Sequence, residues 1–376
     1  MQIPQLTFLR FVAAFWVVVL HFGRQAWPMH TETLAPLAAQ GALGVSFFFT
    51  LSGFLLAWVY GRHLPLDCKA YLRARFARVV PLYWISLGFG ILVWGMLDNK
   101  WPSLFYGALQ FTGLYAWWPD YSLTINFPAW SVSVELFLYA TLPFLLPWML
   151  KQNIARLLMV AFVLWLGTAL AFSLLQGKTN VWFNDPFDLF LLRFPLWHLN
   201  TFFIGLVGGL LFHRNAGILR FKPWLPLAVS GFGVAVVLLT CYLPNPFIGI
   251  AHNGLLAPFF LMVIVGVASD KGWLTNFLSR KPMVFLGEIS FALYIFQAPV
   301  QQVFIEFWLP EGAKTLNAEG FAVYTLCLLI FSALMYRLVE TPLRYTLRGK
   351  SAPKNVALAT EPLEAQQNRN DGNTQQ

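Results

Sequence analysis

Three groups of side chains in this 376-residue chain could do chemistry if the fold brings them together. Arg10 and His21 share one apolar segment. Eleven residues at 1.5 Å rise put them about 16 Å apart along a helix, and eleven residues is close to three turns, so both leave nearly the same face. Histidine is the side chain best able to take and return a proton near neutral pH. Glu135 lies in the run Pro128-Ala129-Trp130-Ser131-Val132-Ser133-Val134-Glu135, and a carboxylate beside an imidazole can orient the ring and stabilise its protonated form. Arg75 and Arg78, at i and i+3, share a helix face, and paired guanidinium forks suit a phosphate-bearing ligand.

Each group also has a plainer reading. Arg10 can snorkel to lipid phosphates while His21 ends its helix. Glu135 can be an acid near a helix start with Ser131 as the cap. The arginine pair can belong to a basic loop resting on head groups. Glu288 and Glu340 stand at helix ends and are expected to be structural. Against the plainer readings stands the cost of a charge in an apolar span, several kcal/mol unless the group faces a protein interior or a water-filled cavity.

The elements that must position these groups are set by composition. The chain is 58% hydrophobic and only 11% charged, with mean hydropathy +0.62. A soluble domain carries roughly a quarter charged residues, so this is a membrane chain whose apolar surface faces lipid. Apolar stretches near the ~20 residues a bilayer needs lie at 4–22, 44–60, 79–97, 128–149, 157–175, 197–212, 224–243, 253–269, 283–305 and 319–338. The expected fold is therefore all-α, a polytopic transmembrane bundle of about ten spans. The first is an uncleaved span, because no small-residue cleavage site follows it.

An eleventh apolar stretch, 103–118, is short and flanked by Trp101-Pro102 and Trp117-Trp118-Pro119. If it does not cross, all of the 25 basic residues except Arg24, Lys100, Lys178, Arg193 and Lys314 share the side of the N-terminus. The positive-inside rule prefers that arrangement, so 103–118 is read as a re-entrant or interfacial helix and both termini as cytoplasmic. The same rule accounts for the net charge of +9 without nucleic acid. The three cysteines have no spacing that suggests a disulfide or a metal site. Residues 1–348 make one transmembrane domain, and 349–376, polar and without aromatics, are expected to form a disordered cytoplasmic tail.

Several stretches, in order, resemble the acyltransferase 3 family of integral-membrane acyltransferases. They are Leu6-Thr7-Phe8-Leu9-Arg10 through His21, an Arg-x10-His signature; Gly44-Val45-Ser46-Phe47-Phe48-Phe49-Thr50-Leu51-Ser52-Gly53-Phe54; the Arg75-x-x-Arg78 pair before Pro81-Leu82-Tyr83-Trp84; Trp130-Ser131-x-x-x-Glu135; Gly287-Glu288-Ile289-Ser290-Phe291-Ala292-Leu293-Tyr294; and Glu340-Thr341-Pro342-Leu343-Arg344. Any one is weak, but the ordered set covers about residues 5 to 345 and is specific. Two positions depart from the pattern. Gln297 stands where many relatives have an aromatic or histidine, and Glu288 replaces a frequent basic residue.

The resemblance implies an acyl-CoA donor, usually acetyl-CoA, on the cytoplasmic side of the inner membrane, and a carbohydrate acceptor: a surface or exported polysaccharide or a lipid-linked glycan. By that likeness His21 is the catalytic residue and Glu135 supports it. Arg10, Arg75 and Arg78 serve the donor, while Trp130, Ser131, Ser52 and Tyr83 line the substrate site. Transfer can be direct or pass through an acyl-histidine. No appended extracytoplasmic hydrolase-like domain follows the last span, so the chain looks like the single-domain form; partners in a polysaccharide-synthesis machinery are expected, and a non-enzymatic assembly partner of such a complex is one alternative. Others are transfer of succinyl or another acyl group, or a glycan exporter in which the same charges line a transport path.

Overall fold

The computed structural model describes residues 3–61, 65–118, 125–175, 186–215, 222, 224–243, 249–309 and 315–348; the expected tail, 349–376, lies outside them. The described residues are mostly helical, and there is no strand among them. In chain order the helices are α1 Pro4–Val18, α2 Ala35–Ala39, α3 Leu43–Tyr60, α4 Cys68–Leu97, α5 Leu104–Thr112, α6 Trp130–Leu150, α7 Ile154–Leu175, α8 Pro186–Arg193, α9 Leu199–Asn215, α10 Leu225–Thr240, α11 Ala257–Ser269, α12 Trp273–Leu278, α13 Lys281–Glu288, α14 Ser290–Trp308, α15 Ala318–Met335 and α16 Thr341–Arg348. Three π-helical turns, Val19–Gly23, Ala251–Leu255 and Tyr336–Glu340, extend or join them.

Seven helical segments are long and apolar enough to cross a bilayer, and α13 with α14, bent by 53° at Ile289, would make an eighth. This corrects the expectation of ten. The difference lies in α10 and α11, which have 16 and 13 residues and so extend about 24 and 20 Å, short of the ~30 Å hydrocarbon layer. The apolar run at 253–269 loses its first residues to a π-helical turn broken at Gly254, where φ is +112°. Only glycine holds that left-handed backbone easily.

The helix within 103–118 is too short to cross a bilayer. That helix, α5, has nine residues, about 14 Å; Ser103 caps its start and Gly113, at φ +70°, ends it. The Tyr83 hydroxyl donates to the Gln110 carbonyl at 2.5 Å and the Trp84 indole to Phe111 at 2.9 Å, which fastens α5 to α4. Leu104, 91% exposed, faces outward as a lipid-facing residue does.

Small residues bring the two central helices together. A Cβ at Gly53 would overlap the Phe202 carbonyl, and one at Gly205 or Gly209 would overlap Thr50 or Phe54, so α3 and α9 meet backbone to backbone in the manner of small-residue packing in membranes. Gly205→Leu is therefore expected to destabilise the bundle by about 1–3 kcal/mol. The check is a lower melting temperature of the detergent-solubilised protein. Leucine at Gly167, where a Cβ meets nothing within 4 Å, should leave it unchanged.

Candidate functional site

Arg10, Arg75, Arg78, Ser52, Ser131 and Glu135 all line one cavity of about 200 Å³ between α1, α3, α4, α6, α13, α14 and the last helical segment. Each comes from a helix face fixed by packing. On α6, Ser131, Glu135 and Tyr139 follow at i, i+4 and i+8 and form one wall. Asp67 caps the start of α4 through Ala70 N at 3.0 Å, and the buried Tyr71 hydroxyl donates to the Tyr139 carbonyl at 3.1 Å. That bond sets Arg75 and Arg78, one and two turns on, opposite the α6 wall.

The cavity also takes in Glu288 and Glu340, expected to be structural, and Arg344, because the π-helical turn Tyr336–Glu340 and the helix after it pack on α4. Four arginines and three glutamates thus face one space. Coulombic interaction links Arg10 with Arg78 and Glu135, and Arg344 with Arg78, Glu340 and Arg75. A volume of that size has room for several waters at ~30 Å³ each, the kind of surroundings in which charges are tolerated inside an apolar bundle.

Arg75 is buried, 5% exposed, with its guanidinium 5.8 Å from the Tyr139 ring centre. Its Nε has no hydrogen-bond partner among the described residues. A buried donor without a partner is costly unless a ligand or water completes it, so Arg75 brings a spare hydrogen-bond donor to the cavity. The Tyr139 hydroxyl donates to the Glu135 carboxylate in a short bond.

His21 stands apart from the cavity lining. It lies in the π-helical turn Val19–Gly23 that ends the first span, a helix distortion frequent at functional sites. Its Nδ1 is 2.9 Å from the Gln297 Oε1, and its half-buried ring meets Phe127 edge-on at 4.7 Å between centroids. Glu135 bonds Tyr139 and not His21, whose ring pairs with an amide. Position explains this. Glu135 lies one turn beyond Ser131 toward the arginines, whereas Gln297 lies one turn beyond Tyr294 in the opposite direction, and the Ser131 hydroxyl bonds the Tyr294 hydroxyl at 2.8 Å. The Ser131–Tyr294 contact is therefore the step between the arginine cavity and His21.

Trp130 and Tyr83 are not among the residues that line the cavity. The Trp130 ring lies 5.4 Å from His198 and 5.6 Å from His252, in a buried polar group with Asn200, whose amide donates to the Asn253 carbonyl at 2.9 Å. Tyr83 is fully buried and spent on α5. Glu288 and Glu340, expected to be structural, line the cavity, and neither Arg344 as a lining residue nor the bond made by Gln297 is expected from the sequence. The visible signals were an arginine and a glutamate close to an apolar span and a departure from the family pattern.

The family profile for the acyltransferase domain of the acyltransferase 3 family (Acyl_transf_3) matches residues 3–337. Among curated proteins, the chain is 26% identical to Acyltransferase MdmB of Streptomyces mycarofaciens over 96% of each chain. It is 22% identical to O-acetyltransferase OatA of Staphylococcus aureus over 91% of this chain and 57% of that protein. It is also 33% identical to Protein 2 in picA locus of Rhizobium radiobacter over 34% of this chain and 74% of that protein. No solved structure matches.

Proposed function

We propose, from the premise that this chain belongs to the acyltransferase 3 family and is an integral-membrane acyltransferase, that it moves an acyl group, acetyl first among them, from acyl-CoA to a hydroxyl of a surface or exported polysaccharide or lipid-linked glycan. One observation carries this reading: four arginines gather in a cavity whose α6 and α14 wall leads by way of Ser131 and Tyr294 to His21. Guanidinium groups are the side chains best matched to phosphates, and CoA presents several on a flexible arm that ends in a thioester.

In this account the cavity opens to the cytoplasm of a cell whose inner membrane holds the protein, with both termini on that side, as the distribution of lysine and arginine favours. Arg10, Arg75, Arg78 and Arg344 hold the CoA phosphates. The arm runs past Ser52 and Ser131, and the thioester reaches the His21 ring about 16 Å along the first span from Arg10. The ring accepts the proton of the attacking hydroxyl, the oxygen bonds the acyl carbon, and the carbon–sulfur bond breaks. The imidazolium then returns its proton to the leaving thiolate, so CoA departs as a thiol. Glu135 acts at one remove, by holding Tyr139 and by its field on Arg10.

The test is incubation of purified protein with acetyl-labelled acetyl-CoA and a polysaccharide acceptor. Label should appear in an alkali-labile ester on the glycan with one CoA thiol released per ester; an exporter would release none. Arg344 gives a sharper prediction. Arg344→Ala should weaken CoA binding about tenfold, the loss of one charge-assisted hydrogen bond near 1.4 kcal/mol. Pantetheine, which lacks the phosphates, should bind wild type and variant equally in isothermal titration.

A further inference from the structure

The hydrogen bond between His21 and Gln297 determines which nitrogen of the ring is the base. The oxygen and nitrogen of a glutamine amide look alike, so its orientation must come from its neighbours. Here a second bond settles it. The other end of the amide lies 2.8 Å from the Tyr294 carbonyl oxygen, and a carbonyl can only accept. The amide nitrogen therefore faces Tyr294 and Oε1 faces His21. Because Oε1 also only accepts, the His21 Nδ1 at 2.9 Å must carry the hydrogen, and in a neutral imidazole that leaves the lone pair on Nε2.

The surroundings make this arrangement rigid. Gln297 is fully buried, and its own carbonyl accepts from the Tyr324 hydroxyl at 2.8 Å. Phe22 and Phe127 flank the ring. The His21 Nε2 has no hydrogen-bond partner among the described residues, and the residue is partly exposed. The groups around the ring are Tyr324 behind Phe22, the Tyr294 backbone beneath the amide, and Arg193, the charged side chain whose field reaches it. Glu135 bonds Tyr139 in the arginine cavity instead.

We infer that Gln297 is a positioning residue: it locks His21 in the Nδ1–H tautomer and makes Nε2 the atom that takes the acceptor hydroxyl's proton. This rests on the acyl-transfer reading only for the proton's source. It differs from a carboxylate–histidine pair in one respect, since the neutral amide orients the ring without placing a counter-charge beside the imidazolium.

The ring nitrogens can be read directly by NMR of the ¹⁵N-histidine-labelled full chain, with the His21 signal identified by its loss in His21→Ala. Wild type should show His21 as the Nδ1–H tautomer alone. Gln297→Leu should give a mixture and lower kcat by about 10²–10⁴-fold, the range for a misplaced base or wrong tautomer, with the KM for acetyl-CoA unchanged. In Gln297→Glu the carboxylate keeps the tautomer but adds a counter-charge. Its His21 ring should again read as the Nδ1–H tautomer alone, and its kcat should recover most of what Gln297→Leu loses. An Nε2–H tautomer in wild type, or an unchanged tautomer and kcat in Gln297→Leu, would overturn the inference. If the tautomer is as stated but no CoA is released with any glycan acceptor, the positioning role stands and the acyl-transfer reading fails.

Discussion

Replacing His21 by alanine is expected to lower kcat by about 10²–10⁴-fold, the contribution of a positioned acid–base group, while acetyl-CoA binds as before. The two effects separate because the sites do. The arginines proposed to hold the donor line a cavity to which His21 does not belong, and the ring is held by Gln297 and two phenylalanines rather than by anything in that cavity. Alanine at position 21 should thus leave the cavity intact. The measurement is steady-state kinetics paired with titration of CoA: kcat falls and the donor Kd does not move. A parallel loss of donor binding would mean that His21 holds the cavity together rather than acting on the reacting atoms.

The opposite split is expected at Arg75. Truncation to alanine removes a buried guanidinium that stands against the Tyr139 ring with an unpartnered Nε. Charged hydrogen bonds contribute about 1.5–3 kcal/mol each, so the donor Kd should rise by roughly 10–100-fold with a much smaller change in single-turnover chemistry at saturating donor. Arg75→Lys should recover only part of the loss, because an ammonium keeps the charge but not the planar fork. Arg78, half-buried at the same cavity, should show the same pattern more weakly. Titration of the three variants against CoA in nanodiscs decides the order.

The parts of this arrangement that were legible in the sequence are those written in local spacing. Arg75 and Arg78 do share a face of α4, and Arg10 reaches the cavity from the first span. Hydropathy located the helices because lipid exposure demands continuous apolar surface. It miscounted spans where Gly254 breaks a helix and where α10 stops at Thr240, since hydropathy reports what can enter a bilayer but not how long the helix runs. The histidine's partner was illegible for a different reason. Gln297 is 276 residues from His21 in sequence, and a carboxylate in α6 was the more obvious candidate on charge alone. The bend between α13 and α14, which sets the direction of the α14 face bearing Tyr294 and Gln297, has no local signature that outweighs that argument. Glu288 and Glu340 were read as helix-end charges because nothing in a linear sequence shows that the segment after the last span packs on α4.

The central claim is that donor phosphates at the arginine cavity and the proton transfer at His21 belong to one reaction. Its most direct test is a rapid-quench single turnover of enzyme with labelled acetyl-CoA and glycan acceptor, comparing wild type with His21→Ala at saturating donor. Wild type should release CoA thiol and form glycan ester at equal rates, and the variant should bind the donor yet do neither within the same time. CoA release at the wild-type rate from His21→Ala would contradict the account.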